Sequence, residues 1–83
     1  MAEIPVVIEE FQFVPQSVSV SAGDTVRWTN NDDVDHRSTS DEPGWDSGRI
    51  VPGARFFHQF TSAGILAYHC AFHPLMRGTV TVQ

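Results

Sequence analysis

An all-β sandwich of about seven to eight strands is the fold class that three observations in the sequence predict. Apolar and polar residues alternate with period 2 through segments rich in Val, Thr, Phe and Trp, as half-buried strands require. No window of useful length carries the i, i+3, i+4 apolar spacing of an amphipathic helix. Turn-forming residues punctuate the chain about every 8 to 12 residues, a spacing typical of sandwiches.

The elements follow in order. Residues 4–11 hold a β-branched run around Val6, Val7 and Ile8, and residues 17–21 alternate Ser with Val. Residues 25–30 place Val26 and Trp28 on one face between Thr and Arg. A weaker stretch covers 36–40, and further strands cover 55–61, 65–70 and 78–82. Between them lie the turn signals "SAGD" at 21–24, "NNDD" at 30–33, "DEPGWDSG" at 41–48, "VPG" at 51–53 and "SAG" at 62–64. Residues two apart share a face, so the expected core comprises Val26, Trp28, Phe56, His58, Phe60, Leu66, Tyr68, Cys70, Val80 and Val82. With 83 residues, six Phe and no linker or repeat, a single domain over 1–83 is expected. A chain of this size builds one core, hiding about 60 to 65% of its surface on folding.

Five Arg and no Lys stand against ten acidic residues, a formal charge of −5. That balance disfavours a nucleic-acid partner. No run approaches the roughly 18 apolar residues of a membrane span, and "MAEIPVVIEE" lacks the basic and apolar regions of a secretory signal. A monomer is the default expectation.

The chemistry gathers in "YHCAFHPLM", residues 68–76, where Cys70, the single cysteine, precedes His73 by three residues and His73 precedes Met76 by three. A nucleophilic cysteine would need an oxyanion hole and a cleft, and neither is signalled. Structural zinc favours several Cys or His in paired spacing and makes poor use of a thioether. One thiolate, two imidazoles and a weak axial Met form the signature of a blue copper electron-transfer site. His36, 34 residues before Cys70, is the best-placed second imidazole. His69 neighbours Cys70 and is turned to the opposite face of its strand. His58 lies mid-strand between Phe56 and Phe60, where a hydrogen-bonded core role is expected. Cys70 is expected at a strand end, with His73 and Met76 on the connection that follows.

The segments "FVPQSVSVSAGDTVRWTNND" (13–32), the stretch around His36, "WDSG" (45–48), "GARFFHQFTSAGILAYHC" (53–70) and "HPLMRGTVTV" (73–82) resemble the cupredoxins, and among them the plastocyanin- and amicyanin-like proteins. Cys-x-x-His-x-x-Met with Pro74 after the histidine is most similar to the short amicyanin loop. The resemblance implies a Greek-key cupredoxin-like sandwich with one type 1 copper ion. It makes His36, Cys70 and His73 the equatorial ligands and Met76 the axial one. It also implies a non-enzymatic electron carrier in the periplasm or another extracytoplasmic compartment, docking redox partners through an apolar patch near His73, Leu75 and Phe72. Two positions depart from the family pattern: Arg37 stands where Asn often follows the first histidine, and Phe72 where Pro often precedes the second. One cysteine excludes a binuclear copper centre.

The remaining readings are a copper-holding or copper-delivering protein, a domain excised from a larger copper oxidase, and a metal-free immunoglobulin-like binding module. Asp32, Asp33, Asp35, Asp41, Glu42 and Asp46 flank His36 and form either a steering patch for a cationic partner or a solvated loop. Arg37 and Arg77 either place positive charge near the metal, favouring Cu(I), or point to solvent. His69 is expected as an exposed strand residue or a second electron exit, Trp28 in the core, and Trp45 as a core cap or a partner contact.

Overall fold

A computed structural model describes residues 1–83. The strands are β1 (Glu3–Glu9), β2 (Gln12–Val14), β3 (Ser17–Val20), β4 (Thr25–Asn30), β5 (Thr39–Ser40), β6 (Arg55–Gln59), β7 (Gly64–Cys70) and β8 (His73–Val82). They form two four-stranded sheets, ordered β2-β1-β4-β6 and β3-β8-β7-β5. β1 runs parallel to β4 and β3 parallel to β8, while the other pairs are antiparallel. The chain repeatedly crosses between the sheets, which gives the expected Greek-key sandwich.

Register explains the core. β1 and β4 align Val6 with Trp28 and Ile8 with Asn30, and β3 and β8 align Val18 with Val80 and Val20 with Val82. The inward residues of each pair therefore line up side by side within their sheet, and Val6, Ile8, Val26, Trp28 and Val80 are fully buried. Each such side chain stabilises the fold by about 1.5 to 3 kcal/mol relative to exposure. Trp28 sits at the centre, with ring centroids of Tyr68 at 5.5 Å, Phe56 at 5.6 Å and Trp45 at 5.9 Å. Phe60, Tyr68, Cys70 and Val82 are buried as expected, but Phe56, His58 and Leu66 are only partly buried.

Three expectations are corrected. The first strand does not reach residue 11: Glu10 and Phe11 adopt φ of 53° and 58°, and the chain doubles back into β2. The stretch 36–40 contributes only the two residues of β5, with His36 joined to Ile50 by an isolated bridge. The last strand begins at His73 rather than residue 78, so His73 and Met76 lie on β8 and not on a connection before it. The reason is a tight β7–β8 hairpin: Ala71 and Phe72 make the turn, and Cys70 pairs directly with His73. Because His69 pairs with Arg77, residues 74–76 have no counterpart on β7 and are extruded from the ladder. Pro74, which lacks an N–H for pairing, suits such a place.

Candidate metal centre

The centre lies at one end of the sandwich and draws on both a loop and a hairpin. Cys70 ends β7 facing inward, fully buried and free of any disulfide. Its hairpin partner His73 brings Nδ1 to 3.6 Å from Cys70 Sγ, which is the structural reason for the three-residue spacing. His36 is also fully buried, and two backbone hydrogen bonds with Ile50, of 3.1 and 2.8 Å, pin its position. Its Nδ1 is 3.8 Å from the same sulfur. The donor atoms of His36, Cys70 and His73 lie within 4.8 Å of one another.

This spacing fits one first-row metal ion. With metal–sulfur and metal–nitrogen distances of about 2.3 and 2.05 Å, sulfur–nitrogen separations of this size correspond to angles of about 110° to 120°. Met76, only 5% exposed, lines the same apolar hollow as Phe11, Phe72, His73, Pro74 and Leu75, so a thioether is at hand. The donor set is soft and matches copper better than zinc. The backbone N–H of Arg37 donates to Cys70 Sγ at 3.3 Å, a contact suited to a thiolate.

The imidazole of His36 is held from behind. Its Nε2 lies 2.7 Å from Asp32 Oδ2, and that carboxylate also accepts the backbone N–H groups of Glu10 at 2.7 Å and Phe11 at 3.0 Å. Burial works to raise the Asp32 carboxyl, but hydrogen bonds from Phe11, His36 and Glu10 outweigh it and hold the group below the usual carboxylate value. The Phe11 ring stands edge-on to both imidazoles, 5.3 Å from His36 and 4.9 Å from His73. Asn30 completes the frame, accepting from the Asp32 N–H and donating to the carbonyls of Val34 and Ile50.

The other residues singled out in the sequence lie outside this cluster. His69 is turned away as expected, but it is not simply exposed: its Nδ1 meets Asp41 Oδ1 at 2.5 Å, and Arg77 holds the other oxygen at 3.2 Å. Arg37 forms a bidentate pair with Asp46, and its guanidinium carbon lies 5.8 Å from the Phe72 ring centroid. That pairing, chiefly the Arg37 hydrogen bond, lowers the Asp46 carboxyl to about 2 against a smaller effect of burial. Both arginines thus carry a carboxylate partner that offsets their charge. His58 makes no protein hydrogen bond through its ring, contrary to expectation; it stacks on Trp45 at 5.4 Å, and burial lowers its pKa. Trp45 is a core cap whose Nε1–H donates to Ser38 Oγ at 3.0 Å. Of the six acidic residues around His36, four bind partners within the chain: Asp32, Asp35 with Arg49, Asp41 and Asp46. The cluster is therefore mostly internal pairing, not a free steering patch.

Asp32, Asn30 and Phe11 were not visible as site residues in the sequence. "NNDD" carries only a turn signal, and Phe11 fell inside an apparent strand.

The pattern defining copper binding proteins of the plastocyanin/azurin family matches residues 2–83. A plastocyanin of Scenedesmus fuscus is 36% identical over 84 residues, covering 86% of this chain and 86% of that protein. An amicyanin of Paracoccus denitrificans is 31% identical over 85 residues, covering 96% of this chain and 65% of that protein. A purple cupredoxin from Nitrosopumilus maritimus superposes with a TM-score of 0.92 at 30% identity, covering 96% of this chain and 99% of that one. A Cu(I) amicyanin variant superposes equally well, at 0.92 and 28% identity, covering 96% and 81%.

Proposed function

The chain belongs to the plastocyanin/azurin family of copper-binding proteins, and from that premise we propose that it is a blue copper carrier of single electrons between redox partners. The observation that carries this reading is one buried cysteine sulfur set between two histidine Nδ1 atoms at 3.6 and 3.8 Å. His36, Cys70 and His73 would hold a copper ion through two imidazoles and a thiolate, with the Met76 thioether as the fourth, weaker donor. When bound, copper supplies a Cu(I)/Cu(II) couple.

The residues of the chain do the rest. His36 and Cys70 are fully buried and tied to the backbone of Ile50 and Arg37, which would restrain both donors when a bound ion changes oxidation state. Four protein donors leave no open position for a substrate, which favours shuttling over catalysis and makes the protein a carrier, not an enzyme. His73 is only half-buried and adjoins Phe72, 42% exposed, and Leu75, 97% exposed. This small apolar patch is the docking surface, of a size suited to transient redox encounters. Residues 1–83 act as one domain and as a monomer, in an extracytoplasmic compartment.

The test is to add Cu(II) to the metal-free protein and record optical and electron paramagnetic resonance spectra. An intense blue thiolate-to-copper band with reversible one-electron cycling is expected, and Cys70→Ser abolishes the band. A colourless adduct sinks the reading, and ready surrender of copper to another protein assigns delivery instead.

A further inference from the structure

We propose that Asp32 is a positioning residue that couples His36 to the β1–β2 turn, fixing the imidazole tautomer and the seat of Phe11 with one carboxylate. The inference rests on the copper reading above for its redox consequence, but its structural part stands on contacts within the protein. Three donors converge on the Asp32 side chain: Glu10 N–H on Oδ1, and Phe11 N–H and His36 Nε2 on Oδ2. Only an acceptor at both oxygens can serve all three. With Nε2–H committed to Asp32, Nδ1 is left with its lone pair directed to the side on which Cys70 Sγ lies.

The turn needs the same group. Glu10 and Phe11 are both non-glycine residues at positive φ, 53° and 58°, a conformation that persists only where its surroundings enforce it. The carboxylate ties both amides and so sets the Phe11 ring edge-on against His36 and His73. Asp32 is itself held, since its N–H donates to the fully buried Asn30. Its side chain is only 14% exposed, which withdraws it from the acidic surface.

Asn at this position cannot substitute. Whichever way the amide turns, its NH₂ faces at least one of the three donors. The carboxylate also increases electron donation from His36, favouring Cu(II). Asp32→Asn is therefore expected to shift the Cu(I)/Cu(II) equilibrium about tenfold toward Cu(I), or about 59 mV for one electron, with the blue band retained. Asp35→Asn removes the same charge near His36 but touches only Arg49, and leaves the potential near that of the wild type.

The metal-free protein gives the second readout. Nitrogen-15 NMR should find His36 of the wild type wholly in the Nε2–H tautomer. Asp32→Asn should mix the tautomers and speed amide exchange at Glu10 and Phe11 at least tenfold. Mixed tautomers in the wild type, unchanged exchange in Asp32→Asn, or an equal potential shift in Asp35→Asn would each overturn the proposal. If the wild type takes up no blue copper, the carrier reading fails while the metal-free measurements still decide the role of Asp32.

Discussion

Arg37 and Phe72, the two positions that depart from the resembled pattern, lie against each other, and Asp46 anchors the arginine from the other side. The Asp46 carboxyl is lowered in the folded chain from 3.8 to about 2, so its stabilisation is full above about pH 4 and is lost as the pH falls toward 2. Its side chain is 44% exposed, which keeps the pair to about 1 kcal/mol or less. Asp46→Asn is expected to lower Tm by a few degrees at pH 7 and to match the wild type near pH 2, as thermal unfolding at both pH values checks. Tyr68 works at the opposite extreme. Burial pushes its phenol up to about 12, against a weaker opposing effect of Trp28, so the folded state loses stability as the pH rises from 10 toward 12. Tyr68→Phe should flatten that alkaline loss. It should cost little at pH 7, because the hydroxyl is buried without a hydrogen-bond partner. At this scale the sequence disclosed residues whose chemistry is rare, a single Cys with His and Met at fixed spacing. It concealed Asp32 and Asn30, whose side chains serve backbone groups far along the chain and leave no periodic trace.

Among the elements, β8 has the most to accommodate, since it carries proposed ligands at one end and core valines at the other. Gly78 makes this possible: a Cβ there would lie 2.5 Å from Tyr68 Cζ, inside the rigid ring that faces it across the ladder. Gly78→Ala is expected to destabilise by about 1 to 3 kcal/mol through overpacking, read as a lower denaturant midpoint at unchanged slope. Strands with unbroken alternation were legible in the sequence, and β4 (Thr25–Asn30) matches the expected range to the residue. The errors fall where alternation is interrupted. Glu10 and Phe11 turn the chain at positive φ without Gly, Asn or Asp to mark the place. Residues 74–76 break the pattern at the start of β8 because they have no partners on β7, so only its regular second half was recognisable.

For the whole molecule, the exposed apolar end is the face to test. Leu75 is 97% exposed and does not belong to the packed interior. Leu75→Glu should therefore leave Tm and the copper spectrum unaltered while slowing electron self-exchange at least tenfold, measured by NMR line broadening; an unchanged rate removes the patch from the docking role. The sandwich itself was readable because two sheets of alternating strands admit few other arrangements. The meeting of His36 with Cys70 was inferred from their chemistry and depends on the loop anchored at Ile50. That loop has a mechanical consequence. On the proposed ligand set, a bound ion would rivet together two points 34 residues apart. As a covalent cross-link, such closure would withhold about 4 kcal/mol of chain entropy from the unfolded state. Chelation would then act like reducing a disulfide, a reversible unfastening that leaves the fabric in shape but easier to tear.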